Sequence, residues 1–350
     1  MIIRQDNMQK KIKKLLLPNY NEIKFLRELK KKEIEEIDKK YNLSSLFIFK
    51  RKLKNFTVQI LNKFNLLPLF KFSLPRSLET VHAKYEKISG LYIKLHNHMN
   101  KLKYIAINEK NKIVECKGLI TPYYGTCLKK LHEFFNLDSI LEVGAGELTT
   151  LDNLLKKIKK KPKKVGAIDI SLKRLLVGKN FFNKKNKKID LLARADASQL
   201  PFPDNSFDMV YTVHVIEQVP QLFMKILKEL VRVSSNIIIL IEPSYEFGSN
   251  SSKKNIFKKG YTRIKDSHFK RLNYKLIYRD ILEFRYYING TEIVVLKKNK
   301  NTKNKDKTEF ICPITHENLF KKGNYLSNKN KTINFQIKNS ISMLCPEDRI

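Results

Sequence analysis

The chain lacks tryptophan and has little cysteine or glycine, with 4 Cys and 11 Gly in 350 residues. The cysteines, Cys116, Cys127, Cys312 and Cys345, are scattered without a C-x-x-C pair, so neither a disulfide framework nor a zinc-site spacing is indicated. A reducing compartment is the default. Glycine is absent before Gly90, and proline occurs there only at Pro18, Pro68 and Pro75. The stretch Met1 to Lys14 has no apolar core of the signal-peptide kind, and the longest uninterrupted apolar run, Ile237 to Ile241, is far too short to span a bilayer. A cytoplasmic protein is expected, not necessarily detached from every membrane surface.

What is abundant is positive charge. The formal net charge is +36, carried far more by Lys than by Arg. One reading is a polyanionic partner: nucleic acid, an anionic membrane face or an anionic glycan. The other is codon bias of an AT-rich genome, which the abundance of Lys, Asn and Ile suits. Nucleic-acid readers favour Arg where bidentate geometry matters. An apolar fraction of 42% and this length suit a globular chain with one large domain and smaller additions.

Residues 1–113 read as a basic helical extension. Glu22 to Tyr41 is rich in Lys, Glu and Leu and is expected to be helical. Leu46 to Phe72 mixes Phe, Leu and Lys, which suits either a basic amphipathic helix on an anionic membrane or a helical cap packed on the main domain.

Residues 114–300 carry the main domain. A lead-in helix over Thr126–Phe135 precedes alternating strands and helices. The strands are Ser139–Val143, Lys164–Ile168, Ile189–Arg194, Phe207–Val213 and Asn236–Ile241, and the helices are Thr149–Lys160, Ser171–Phe182 and Gln221–Val233. β-branched apolar runs separated by amphipathic helices predict an α/β fold, a Rossmann-like, doubly wound, mostly parallel sheet. Tyr274–Phe284 and Thr291–Leu296 read as an antiparallel pair at its edge, joined through the hairpin-type dipeptide Asn289-Gly290. Lys297 to Lys307 is a Lys/Asn linker, and residues 308–350 form a small β-rich module.

The chemistry centres on Ile140-Leu141-Glu142-Val143-Gly144-Ala145-Gly146-Glu147-Leu148. An apolar strand ends beside an acid and drops into a Gly-x-Gly turn, where glycine lets the backbone approach a ligand. A dinucleotide fold has a third glycine; here Leu148 and Thr149 stand near that place. An anionic Glu142 repels a pyrophosphate and suits a cation. Asp169 ends the second strand, a little over 20 residues past the turn, at the distance where an acid accepts ribose hydroxyls. A helix N-cap, shared with Ser171, is its structural alternative. Asp196 follows the third strand and suits either an exocyclic amine such as that of adenine or a turn cap. Asp208 is read as organising the start of the fourth strand.

The succession ILEVGAGELTT, GAIDIS and RADASQLPFPDNSFDMVYTVHVIEQVP resembles a class I S-adenosylmethionine-dependent methyltransferase of the type 11 group, over about residues 114 to 300. The resemblance implies that Glu142, Gly144, Ala145 and Gly146 line the methionine end, that Asp169 and Ile170 hold ribose and flank adenine, and that Asp196 and Ala197 meet the adenine edge. It places Val213 and His214 at the floor of the site. Leu148 departs from the third glycine, and Gln218 stands where this group often has His. Because a sulfonium methyl is already electrophilic, such an enzyme mainly aligns its reactants. His214 is the candidate general base, with a loop-fixing role as the alternative. Glu217 is read as a helix-start residue.

No N-P-P-[YF]-type segment follows the fourth strand, which disfavours relatives that methylate base exocyclic amines or glutamine amides. No Cys ends the fourth or fifth strand, which disfavours covalent attack on a pyrimidine. The tail, with Phe310-Ile311-Cys312-Pro313-Ile314-Thr315 and Phe335 to Leu344, resembles the zinc-ribbon activator subunit of tRNA methyltransferases. It lacks that module's cysteine pairs: Cys312, His316 and Cys345 do not make a four-ligand zinc pattern, so no metal is expected. The resemblance implies a module that packs on its own catalytic domain.

The expected function is methyl transfer from S-adenosylmethionine, leaving S-adenosylhomocysteine, to a small molecule, glycan or lipid intermediate. The rivals are an RNA methyltransferase using the basic surface, and a silent cofactor-fold scaffold that Leu148 keeps open.

Overall fold

Without glycine before Gly90, the amino-terminal region still builds strand as well as helix. The computed structural model describes residues 2–19, 22–41, 76–270, 272, 274–299 and 309–350. Helix α1 (Ile2–Leu16) buries Ile12 and Leu16 against the main domain, where the Tyr123 hydroxyl donates to the Leu16 carbonyl at 3.0 Å. The expected helix over Glu22–Tyr41 is instead strand β1 (Lys24–Glu28) followed by α2 (Lys31–Tyr41). Tertiary pairing overrides helix propensity there. Two short helices follow, α3 (Leu78–Lys87) and α4 (Leu91–Asn97), then β2 (Lys103–Ile107) and β3 (Ile113–Lys117). Strand β1 pairs antiparallel with β3, and β3 with β2. The extension over 1–113 is therefore not purely helical, and its expected boundary falls inside the β2–β3 hairpin. The Leu46–Phe72 segment lies outside the described residues, as do residues 300–307 of the expected linker.

Helix α5 (Thr121–Phe135) begins five residues earlier than the sequence pattern suggested, with Pro122 in its first turn, where a missing N–H costs nothing. The alternation follows as β4 (Ser139–Val143), α6 (Thr149–Lys157), β5 (Lys164–Asp169), α7 (Leu172–Asn183), β6 (Leu191–Arg194) and β7 (Phe207–Val213). Helix α8 (Phe223–Val233), β8 (Ser234–Pro243) and α9 (Asn250–Lys259) complete it. Helix α8 buries Phe223, Ile226, Leu227, Leu230 and Val233, one stripe at helical spacing. The last strands are β9 (Tyr274–Ile281), β10 (Arg285–Tyr286) and β11 (Thr291–Lys298).

The central sheet runs β6-β5-β4-β7-β8-β11-β9, parallel from β6 to β8, with β11 and β9 antiparallel. Asn289-Gly290 is not a two-residue hairpin turn: the β9–β11 connection spans residues 282–290 and includes β10, which pairs with β2 and so joins the four-stranded amino-terminal sheet to the main domain. Chain order reverses on either side of β4, so a crevice opens at the carboxyl ends of β4 and β7. Asp208 accepts the Asp138 and Ser139 amides at 3.0 and 3.2 Å and organises the starts of both strands.

The tail extends this sheet. Strands β12 (Phe310–Ile311), β13 (Asn318–Lys322), β14 (Tyr325–Ser327) and β15 (Asn334–Lys338) pair antiparallel in succession, and β16 (Ile341–Met343) pairs parallel with β6. The otherwise open β6 edge is thus covered by the chain's own carboxyl-terminal residues. Arg194 donates to Asp348 at 2.5 Å and to Glu347 at 2.7 Å, and Phe310 stacks on Phe202 with centroids 5.5 Å apart.

Candidate active site

The turn after β4 is held by its neighbours. Gly144 and Ala145 donate to the Ile168 carbonyl at 2.9 and 2.8 Å, and Gly146 donates to Asp169 Oδ2 at 2.8 Å. Both glycines have positive φ, +75° and +53°. A β-carbon on Gly144 would lie 2.4 Å from Val215 Cγ2, and one on Gly146 would lie 2.1 Å from Arg174 Nη2. Leu148, near the place where a dinucleotide fold has its third glycine, adopts the left-handed conformation (φ +61°) that favours glycine. Its side chain is fully buried against α7, where Gly178 makes room: a β-carbon there would sit 2.8 Å from Leu148 Cγ. Leu148 does not line the cavity.

That cavity, about 450 Å³, opens at the carboxyl ends of β4, β5 and β7. Of the ten residues expected to hold the cofactor, Glu142, Gly144, Ala145, Asp169, Ile170, Asp196, Ala197, Val213 and His214 line it, while Gly146 stands behind them under the Arg174 guanidinium. Glu142 is buried and its Oε2 has no hydrogen-bond partner among the described residues. Burial pushes its carboxyl up to about 8, against a smaller opposing pull from the Tyr211 hydroxyl. Tyr211 faces it across the β4–β7 ladder. A buried, unsatisfied acid is what a cationic ammonium or sulfonium ligand compensates. Asp169 accepts Gly146 N–H and, at 2.9 Å, Ser171 N–H, so it braces the turn and the start of α7. Each carboxylate oxygen has a second lone pair for a ribose hydroxyl. Asp196 accepts the Ser198 amide at 2.7 Å and its hydroxyl at 3.0 Å, so it caps its turn and also lines the cavity. These residues fit a nucleoside carrying a cationic side chain.

Beyond β7 the backbone is strained. His214 has φ +56°, and its amide donates to the Ile241 carbonyl at 2.9 Å. Its Nδ1 lies 3.3 Å from Glu217 Oε2 and its Nε2 3.2 Å from the Tyr124 hydroxyl, which lies 3.1 Å from Thr291 Oγ1. Burial alone would lower the imidazole's pKa, but Glu217 and then Glu242 together outweigh it and the net shift is upward. Glu217 sits in a single 3-10 turn (Ile216–Gln218), not at the start of α8, and orients the histidine. Gln218 donates to Glu217 and accepts Arg76 Nη1. Below them Glu242 accepts Thr212 Oγ1 at 2.9 Å and the amides of Val215, Ile216 and Glu217. Burial and the nearby Glu217 push its carboxyl up to about 7.

Several site residues were not singled out in the sequence. Tyr85 and Tyr92, on α3 and α4, sandwich Arg174, each ring centroid 4.9 Å from its guanidinium. Glu147 accepts the amides of Gly90 and Ile93 at 2.9 and 2.7 Å, at the start of α4. Glu86 on α3 reciprocates, accepting the Ser171 hydroxyl at 2.7 Å and the Lys173 amide at 3.3 Å at the start of α7. Each acid meets the positive end of a helix, and together they fasten the α3–α4 lid over the Gly-x-Gly turn. One signal was available: Arg174 is an arginine in a lysine-dominated chain, where a planar, stacking cation is required. Glu242 was marked by its acidity at the end of the apolar run Ile237–Ile241.

Among the described residues no group of His, Cys, Asp and Glu could hold a metal, and no helix is long and apolar enough to cross a membrane. No curated protein sequence matches the chain. Solved structures similar over about half of it include the following three. Magnesium protoporphyrin IX methyltransferase from Synechocystis, with bound S-adenosylmethionine, is 13% identical over 51% of this chain and 79% of its own, at a TM-score of 0.39. A methyltransferase from Aquifex aeolicus is 18% identical over 49% and 88%, at 0.38. A putative methyltransferase from Haloferax volcanii, in complex with the Trm112 methyltransferase activator, is 15% identical over 51% and 90%, at 0.38. Residues 141–236, from the middle of β4 into β8, match the family model described as a methyltransferase domain. Over that stretch the chain is therefore similar to a methyltransferase domain.

Proposed function

We propose that this methyltransferase acts on a hydroxyl, carboxyl or amine of a small molecule, glycan or lipid intermediate, with His214 taking the acceptor's proton. The observation that carries this reading is the roofed cavity. The α3–α4 lid and the end of α9 close over the cofactor residues, and the Glu217–His214–Tyr124 chain forms its wall. Bound there, the cofactor supplies an electrophilic methyl group. Glu142 offers its buried carboxylate to the cationic end, and Asp169 and Asp196 offer acceptors to ribose and adenine. Glu217 holds Nδ1 of His214, which leaves Nε2 to accept a proton directly or through Tyr124. Leu148 points into α7, which favours turnover over a silent scaffold.

The net charge of +36 favours RNA as the second reading. Its binding would fall steeply with salt. The deciding experiment has two arms. Calorimetric titration with S-adenosylhomocysteine, beside Asp169→Ala, is expected to show binding that the variant loses. Transfer of labelled methyl to small-molecule and lipid extracts, beside total RNA, is expected to label the former; label confined to RNA would overturn the acceptor class.

A further inference from the structure

Three cations gather beside the cavity. Arg76 precedes α3, Lys84 lies on α3, and Lys259 ends α9. Lys84 and Lys259 line the cavity with Tyr261 and Gln218. Arg76 is pinned in place: its Nε donates to the Lys259 carbonyl at 2.6 Å, its Nη1 to Gln218 Oε1 at 2.5 Å, and its guanidinium lies 4.3 Å above the Tyr261 ring. Among the described residues none of the three is ion-paired with a carboxylate, although ion pairs are frequent elsewhere on this surface. Glu217, the one acid of this wall, is engaged by His214 and Gln218.

The two ammonium groups behave accordingly. Burial, and then the charge of Arg76, lower the pKa of Lys84; burial lowers that of Lys259, with Lys84 and Arg76 adding to it against Glu217. Holding three cations together with Glu217 as the one nearby counter-charge costs free energy that an anionic ligand recovers. Tyrosines 85, 92, 124, 261 and 286 line the same cavity as Lys84, Lys259 and His214.

We infer that Lys84 and Lys259, held in place by Arg76, bind an anionic group of the methyl acceptor, a carboxylate or a phosphate, while the acceptor's nucleophilic atom reaches inward toward His214. This rests on the methyl-transfer reading and narrows it to acidic acceptors. The anchor binds rather than reacts, so it acts on acceptor affinity and not on the cofactor.

The test uses the full chain saturated with S-adenosylhomocysteine. Benzoate, phenyl phosphate and the uncharged benzyl alcohol are titrated calorimetrically into the wild type and into Lys84→Met/Lys259→Met. The wild type is expected to bind at least one of the two anions about tenfold or more tightly than the alcohol, since 1.4 kcal/mol corresponds to that factor. The stronger anion tells carboxylate from phosphate. The double variant is expected to lose this preference while its affinity for S-adenosylhomocysteine stays within about twofold, which also shows that it folds. Equal binding of all three probes, or a preference that survives in the variant, overturns the anchor. So does binding of a ten-residue oligouridylate when neither small anion binds, because the three cations would then be part of an RNA track. Failure to bind S-adenosylhomocysteine at all would instead sink the methyl-transfer reading.

Discussion

The guanidinium of Arg174 lies against the α-carbon of Gly146, so close that a single methyl on that carbon would meet Nη2 at 2.1 Å. The arginine is pressed there by the lid tyrosines and flanked by Asp169 and Glu147, 3.7 and 3.9 Å away. Gly146 is thus needed to admit a side chain of this chain. Gly146→Ala should push Arg174 outward, loosen the lid and weaken S-adenosylhomocysteine binding by tenfold or more, with a stability loss of about 1–2 kcal/mol from the left-handed backbone. Calorimetry and thermal melts read the two effects separately; unchanged affinity would refute the link.

Leu148 and Gly178 are a matched pair. Gly178→Ala should destabilise the fold by about 1–3 kcal/mol through overpacking. Leu148→Ala should cost about 2–5 kcal/mol through the cavity left behind. Combined, they should cost less than their sum, because the smaller side chain relieves part of the clash. Relief stays partial, since the Gly178 β-carbon also meets the Glu147 backbone at 2.8 Å. Denaturant melts of the double-mutant cycle check this; strict additivity would mean the two residues do not compensate each other.

Glu142 predicts a pH dependence of cofactor binding. Its carboxyl is pushed up to about 8 by burial, so below that pH it holds a proton which a cationic ligand must displace. Affinity for S-adenosylmethionine should therefore rise as pH climbs from 6 toward 8, by up to about tenfold per unit, and level off above. Glu142→Gln should flatten the curve. A flat wild-type curve would rule out the carboxylate as the cation's partner.

His214 sets a second profile. Its pKa is raised by Glu217 over the opposing effect of burial, and only the neutral imidazole accepts a proton. The rate should climb with pH through a value above the ordinary 6.5. Glu217→Gln removes the anion, so the ascending limb should move to lower pH. A limb that stays in place would place the base elsewhere. His214→Ala should lower kcat by about 10²- to 10⁴-fold.

The tail should be needed for solubility. Deleting residues 309–350 uncovers the β6 edge and Phe202, and removes both acid partners of Arg194. An exposed strand edge invites association. Light scattering and melts of the truncated chain should show aggregation and a lower Tm; a monodisperse, equally stable product would make the tail dispensable.

The central sheet was legible in the residues because its parallel strands are largely buried on both faces and read as mostly apolar runs. Strand β7 matches its expected bounds residue for residue, and β4 does so through to Glu142 and Val143. The acids at the strand ends stood out in the sequence because each follows a mostly apolar strand, and the structure gives Asp169 and Asp196 backbone partners as well as a place on the cavity wall. Strand β1 was not legible, since its Lys, Leu and Glu favour helix and only pairing with β3 makes it extended. Nor was the β9–β11 connection, whose course depends on β10 joining β2. Asp169 illustrates the division. Sequence distance from the glycine turn marked it as a ribose acid, but its bonds to Gly146 and Ser171, its neighbour Arg174 and the lid above all come from segments far apart in the chain. Local patterning of hydrophobic residues determined the sheet and the order of its acids. Only tertiary packing decided which lysines, tyrosines and glutamates close over them, because those contacts follow from how helices seat on the sheet and leave no period in the sequence.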